Sequence, residues 1–102
     1  MKSKDKKLLT DDGEIVALIK PQFEAGRQAL GKNGVVTNSA YRFLAAKRVI
    51  ICAEENGFTC RGLIRSPIEG GDGNKEYLAY FEKKTSLKSD VDDKYIKKIT
   101  SL

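Results

Sequence analysis

The stretch EIVALIK at residues 14–20 decides the fold that we predict for this chain. Its continuous apolar run, residues 15–19, is typical of a strand that is buried on both faces of a parallel sheet. Pro21 follows and ends the strand, because proline lacks the backbone N–H that a sheet ladder requires. Strands of this kind belong to α/β domains, so we expect more strands beside it and a helix that crosses from one strand to the next.

The segment after residue 38 predicts one long helix. Residues 39–56 carry apolar side chains at helical spacing, with Asn38 or Ser39 as the N-cap and Gly57 as the C-terminal stop. The apolar positions that fit this helix are Tyr41, Leu44, Ala45, Ile50, Ile51 and Ala53.

Two further strands are predicted after this helix. Residues 58–64 and 76–82 are rich in aromatic and aliphatic side chains, which are typical of strands. The Gly-rich stretch SPIEGGDGN at residues 66–74 lies between them and allows antiparallel pairing. The predicted order is therefore strand, helix, strand, strand.

The two ends of the chain predict helical segments. Residues 2–9 have the pattern of the last turns of a helix, which the turn cluster at residues 10–13 ends. Residues 89–92, SDVD, resemble a capping box before a short helix. We expect one partial domain over residues 1–102, with residues 85–102 as a terminal tail and helix. The apolar stripe of the last helix consists of Val91, Tyr95, Ile96 and Ile99.

Composition excludes several classes of function. With 102 residues and a net charge of +5, the chain supports one domain and favours an anionic partner. It has no histidine, so a His-based triad or a Cys/His zinc site is excluded, and Cys52 and Cys60 are expected to be buried thiols. No apolar run approaches the roughly 20 residues of a membrane helix, and no signal-peptide pattern is present. We therefore expect a cytoplasmic protein with neither a metal nor a membrane partner.

A phosphate-binding loop is the first candidate site. The stretch GRQALGKN at residues 26–33 matches the G-x-x-x-x-G-K pattern, but Asn33 stands where that loop needs Ser or Thr to hold magnesium. Residues 21–25 also separate the glycines from the preceding strand, whereas a phosphate loop leaves its strand directly. We interpret these residues as two turn glycines with a solvated lysine.

Lys20 is the second candidate, because it ends the first predicted strand. Ligands of open α/β sheets bind beyond the carboxyl ends of the strands. Glu76 begins the last predicted strand and would lie next to Lys20 if the two strands pair. On the residues alone, two alternatives stay open: a catalytic pair, or a salt bridge worth about 0–1 kcal/mol.

Three stretches, KPQFEAGR, GKNGVV, and SPI followed by GNKEYL, resemble the TlyA-type hemolysin proteins, which are FtsJ-like ribosomal RNA ribose methyltransferases. The resemblance covers residues 13–81 and implies the closing half of a Rossmann-like α/β methyltransferase fold. Such a fold has three layers, and its last strand inserts antiparallel between two others. Family members use S-adenosylmethionine to methylate a ribose 2′-hydroxyl of rRNA with a Lys-Asp-Lys-Glu tetrad. On this sequence Lys20 matches the third member and Glu76 the fourth.

The resemblance also has consequences for residues outside this pair. Arg27 and Lys32 are candidates to contact RNA phosphates, with surface solubility as an equal alternative, and Tyr77 and Phe81 are expected in the core. The family's first Lys, its Asp and its Gly-rich cofactor loop have no counterpart. We therefore expect a fragment that binds no S-adenosylmethionine and transfers no methyl group alone.

A small basic RNA-binding or protein-interaction module without catalysis is the alternative to the enzyme. Either function allows a homodimer, through an exposed sheet or through the carboxy-terminal helix.

Overall fold

The computed structural model describes residues 7–9, 13–24, 26, 30–31, 34–68, 73–83 and 89–101. Its elements are, in chain order, β1 (Lys7–Leu9), β2 (Glu14–Ile19), α1 (Pro21–Glu24), α2 (Ser39–Glu55), β3 (Phe58–Arg65), β4 (Tyr77–Lys83) and α3 (Asp93–Thr100). The predicted series of strand, helix, strand, strand is confirmed by β2, α2, β3 and β4. The helix α1 is a single turn directly after β2.

The last strand of the chain lies inside the sheet. The strand order is β1-β2-β4-β3, and each neighbouring pair is antiparallel. Because β4 is antiparallel to both β2 and β3, those two strands run in the same direction, and α2 lies in the connection between them. This arrangement confirms the closing half of a Rossmann-like α/β fold, with the last strand inserted between two others.

The prediction that β2 is a parallel strand with two buried faces is wrong. Both of its neighbours are antiparallel, and only the alternate side chains Ile15, Ala17 and Ile19 belong to the core. Val16, on the other face, is 36% exposed. The continuous apolar run did not predict that only one face of β2 is buried, because the other face of this sheet also carries apolar side chains.

One face of the sheet packs against α2 and α3 to form the core. Tyr77 and Phe81 of β4 and Ile96 of α3 are among the largest fully buried side chains. The described residues thus form two of the three predicted layers, one of strands and one of helices. None of the helices in the described part of the chain is long and apolar enough to cross a membrane. We call the opposite side of the sheet the outer face. Its apolar side chains are Val16, Leu18, Ile64, Leu78 and Tyr80.

The helix α2 has the predicted ends but a different buried face. The side chain of Asn38 accepts a hydrogen bond from the Ala40 N–H at 2.8 Å, and Gly57 has a φ of 89° just beyond the helix. Leu44 and Ile51, two of the apolar positions that predicted this helix, lie within it but are exposed. The buried positions are mostly small, which lets the helix approach its neighbours closely: Arg42, Ala45, Ala46, Val49, Ile50 and Ala53.

Both ends of the chain correct a prediction. Lys7–Leu9 form a strand and not a helical turn, because they pair with β2; residues 2–6 of that prediction lie outside the described residues. The carboxylate of Asp92 accepts the Tyr95 N–H at 2.9 Å, so Asp92 is the N-cap of α3 in place of Ser89. Ser89 instead accepts a hydrogen bond from the backbone of β3.

Candidate active site

The pairing of β2 with β4 places Lys20 and Glu76 at the same rim of the sheet. Ile19, the last residue of β2, lies opposite Tyr77, the first residue of β4. Lys20 directly follows Ile19 and Glu76 directly precedes Tyr77, so both residues leave the sheet at one end. We call this end the Lys20 rim.

Glu76 is almost completely buried at the Lys20 rim. It is 6% exposed, and its carboxylate accepts a hydrogen bond from Gln22 Nε2 at 2.8 Å. Its backbone carbonyl accepts a bond from the Ser66 N–H at 2.8 Å, which ties the end of β3 to the start of β4. Because a buried carboxylate needs hydrogen-bond donors to replace lost water, the Gln22 amide both stabilises and orients this acid.

Gln22 has one paired and one unpaired end. A carboxylate only accepts hydrogen bonds, so the amide nitrogen must face Glu76 and the amide oxygen must point away from it. Within the described part of the chain, that oxygen is buried and has no hydrogen-bond partner. An unpaired buried acceptor costs about 1–3 kcal/mol, and strain, a catalytic role or a bound water or ion can account for such a group. Gln22 therefore belongs to the candidate site, although the sequence did not single it out.

The ammonium group of Lys20 lies over an aromatic ring. Its Nζ atom is 5.8 Å from the ring centroid of Phe23, a distance typical of a cation–π contact. The Lys20 carbonyl also accepts hydrogen bonds from the N–H groups of Phe23 at 2.9 Å and Glu24 at 3.1 Å. Lys20 is thus joined to α1 through both its backbone and its side chain.

Two side chains hold the loops around the Lys20 rim. The buried Asn74 accepts a hydrogen bond from the Val36 N–H at 2.9 Å and donates one to the Gly34 carbonyl at 3.0 Å. Arg48 of α2 donates to the Glu24 carbonyl at 2.6 Å and so supports the end of α1. The role of Asn74 could not be predicted from the sequence, because its partners Val36 and Gly34 are 38 and 40 positions away and come into reach only through the fold.

The family resemblance also led to predictions for two basic residues and two aromatic residues. Arg27 and Lys32, the predicted RNA contacts, lie outside the described residues. Tyr77 and Phe81 are fully buried, which confirms that they are core residues and not surfaces for base stacking.

The two cysteines differ in burial. Cys60 is buried, and burial raises the pKa of its thiol to about 11, which keeps it protonated and unreactive near neutral pH. Cys52 is only partly buried, so the prediction of two buried thiols is correct for Cys60 alone. Cys52 lies on α2 next to the exposed Ile51, outside the face that packs in the core.

The strand order and connections of the sheet indicate the class of protein. A last strand inserted antiparallel beside a strand, helix, strand unit is typical of part of a Rossmann-like methyltransferase domain. The model of the FtsJ-like methyltransferase family matches residues 2–83. The chain therefore belongs to the FtsJ-like methyltransferase family.

Relatives of this chain are longer proteins. It is 45% identical over 73 residues to YqxC of Bacillus subtilis, named as an rRNA methyltransferase, covering 72% of this chain and 26% of that protein. It is 38% identical over 74 residues to the 16S/23S rRNA (cytidine-2′-O)-methyltransferase TlyA of Mycobacterium tuberculosis, covering 72% and 28%. The solved structure of a protein named as a hemolysin from Streptococcus thermophilus matches with a TM-score of 0.79 and 45% identity, over 92% of this chain and 34% of that one. The chain thus spans about a quarter of the length of these sequence relatives.

Proposed function

We propose that this chain is the closing part of the catalytic domain of an rRNA ribose 2′-O-methyltransferase. The observation that carries the proposal is the position of Lys20 and the buried Glu76 at one rim of the sheet. The family resemblance gives these residues the third and fourth places of a catalytic tetrad. The named activity of the Mycobacterium tuberculosis relative supports rRNA as the substrate.

The two side chains suit the chemistry of a ribose hydroxyl. A hydroxyl is a poor nucleophile, and it improves when its proton is removed or when the charge that develops on its oxygen is stabilised. In our proposal the Lys20 ammonium stabilises that oxygen, and the buried Glu76 carboxylate lies at the same rim to position the reacting groups. Among the described residues these two side chains form no ion pair, and the Lys20 ammonium lies over the Phe23 ring. Gln22 keeps the Glu76 carboxylate in place by donating a hydrogen bond to it.

The methyl donor expected for this family is S-adenosylmethionine, which supplies a methyl group activated by a positively charged sulfur. Rossmann-like folds bind their cofactors at a Gly-rich turn from a strand into a helix. The described turn from β2 into α1 holds Lys20 and Pro21 in place of glycines, so it does not fit the cofactor. We infer that residues outside this chain bind the cofactor and that the chain alone transfers no methyl group.

The proposal includes a partner and a compartment. The partner is rRNA in a ribosomal subunit or its precursor, and the net charge of +5 favours binding to a polyanion. An enzyme that modifies bacterial-type 16S and 23S rRNA, as the Mycobacterium tuberculosis relative is named to do, acts in the cytoplasm.

A small basic RNA-binding or protein-interaction module without catalysis is the second candidate function. Two observations favour it: the charge of +5, and an outer face on which Ile64 is 54% exposed. Such a module performs no methyl transfer, so a methyl-transfer assay with substitutions at Lys20 and Glu76 separates the two functions.

Methyl transfer by a fusion protein tests the enzyme proposal. In the fusion, this chain replaces the matching 74 residues of the Mycobacterium tuberculosis relative, and labelled methyl incorporation into rRNA is measured. Lys20→Ala or Glu76→Gln is expected to slow transfer about 100-fold or more, because a positioned acid or base contributes roughly 10²–10⁴-fold. The melting temperature should change little.

Lys83→Ala is the matched control in the same fusion. Lys83 is an exposed lysine at the end of β4 that is remote from the Lys20 rim, so its loss should leave the rate unchanged. Turnover retained in the Lys20→Ala and Glu76→Gln variants would remove both residues from the active site. A lack of turnover in the unsubstituted fusion would favour the module.

A further inference from the structure

Phe23 is an exposed aromatic residue at the candidate active site. Its side chain lies beside Lys20, and the residue is 60% exposed, whereas the neighbouring Ile19 and Tyr77 are fully buried. The sequence did not mark this residue, because a single phenylalanine after a strand is most simply a core residue.

The residues next to Phe23 in α1 contact other elements of the fold. Pro21 is buried at the start of α1, where its fixed φ suits the first helical position. The Gln22 amide donates a hydrogen bond to the Glu76 carboxylate at 2.8 Å, and Arg48 donates one to the Glu24 carbonyl at 2.6 Å. The residues on both sides of Phe23 are therefore tied to different elements, which lowers the backbone entropy that binding a ligand at Phe23 would cost.

The surroundings of Phe23 favour a nucleobase over an apolar protein surface. An apolar partner needs a contiguous apolar patch, but the neighbours of this ring in the chain are the polar Gln22 and Glu24, and Lys20 lies over it at 5.8 Å. An aromatic face next to a cation is instead the combination that binds single-stranded nucleic acid, in which bases stack on the ring and cations meet phosphates. Lys20 supplies that cation here.

We propose that Phe23 is a stacking surface for an unpaired base of the RNA substrate at the Lys20 rim. This inference rests on the proposed function, since it takes rRNA as the ligand, and it adds a binding residue that is distinct from Lys20 and Glu76. Stacking on a ring face does not read base identity, so Phe23 would position the nucleotide next to Lys20 and not select its sequence.

A tryptophan reporter tests this contact in the 102-residue chain itself. The chain contains no tryptophan, so Phe23→Trp introduces a single fluorophore that keeps an aromatic face at the site. A short unstructured RNA should quench its fluorescence along a saturable curve that coincides with RNA anisotropy. Ile51→Trp is the matched control, because Ile51 is also exposed but lies in the second half of α2, away from the Lys20 rim.

Affinity measurements with a non-aromatic variant complete the test. Phe23→Leu keeps an apolar side chain but removes the ring, and it should weaken RNA binding about tenfold, as expected for the loss of one stacked base. Phe23→Trp should bind at least as well as the unsubstituted chain. The melting temperatures should be alike, because the ring contributes little to the core.

Three results would overturn the inference. They are quenching in Phe23→Trp that does not exceed that in Ile51→Trp, an unchanged affinity of Phe23→Leu, and no saturable RNA binding by the chain. None of them measures methyl transfer by the fusion protein, so the catalytic roles proposed for Lys20 and Glu76 are tested separately.

Discussion

Arg42 is a charged side chain inside the core, only 5% exposed. Its Nε donates to the Thr100 carbonyl at 3.0 Å, and a terminal nitrogen donates to the Thr37 carbonyl at 3.0 Å. One guanidinium therefore joins the loop before α2 to the last turn of α3, where the helix dipole favours a cation. This role could not be predicted from the sequence, because Arg42 and Thr100 are 58 positions apart.

Arg42→Met is expected to lower the free energy of unfolding by at least about 2 kcal/mol. Methionine retains much of the apolar volume, but the buried carbonyls lose charged donors, each worth roughly 1.5–3 kcal/mol. Arg48→Met is the matched control, because Arg48 lies on the exposed side of the same helix and its loss should cost less than about 1 kcal/mol. Urea unfolding measures both variants. Equal stability of the two would contradict the bridging role of Arg42.

At the scale of elements, the sequence predicted features that depend on neighbouring residues, such as helix ends. It did not predict features that depend on distant strands, such as which faces of a strand are buried. The ends of α2 were predictable because Asn38 and Gly57 act on the backbone beside them. The environment of β2 was not, because its partner β4 comes from the far end of the chain. Lys20 and Glu76 could be proposed as site residues from the family resemblance, whereas the contact of Gln22 with Glu76 depends on the strand register and could not be predicted.

The short helix α3 depends on its cap and on its contacts with the sheet. At eight residues it is too short to be stable alone. Ile96 is completely buried, and the Tyr95 hydroxyl donates to the Leu63 carbonyl of β3 at 2.9 Å. The helix thus packs against one end of the core, and the carbonyl of its last residue, Thr100, accepts the hydrogen bond from Arg42.

Asp92→Ala is expected to destabilise the chain by about 1 kcal/mol, because the Tyr95 N–H loses its acceptor at the start of α3. Asp92→Asn keeps a side-chain oxygen at the N-cap and should cost only a few tenths of that. Thermal unfolding by circular dichroism compares the two variants. If Asp92→Asn were as unstable as Asp92→Ala, charge and not capping would explain the effect.

At the scale of the molecule, the two faces of the sheet differ. The inner face is covered by α2 and α3, but on the outer face Val16 and Ile64 are exposed. Doubly wound sheets carry helices on both faces, and this chain spans about a quarter of the length of its sequence relatives. We therefore expect more protein to cover the outer face in a longer family member.

Without such a cover, the chain is expected to self-associate through its outer face, because contiguous exposed apolar patches promote association. Ile64→Arg places a charge within that face and should raise the dissociation constant about tenfold or more, since each tenfold needs only about 1.4 kcal/mol. Leu44→Arg, at an equally exposed apolar position on α2, is the control and should associate like the unsubstituted chain. Sedimentation equilibrium over a range of concentrations measures all three. A monomeric unsubstituted chain would rule out the contact, and association that persists in Ile64→Arg would point to the carboxy-terminal helix instead.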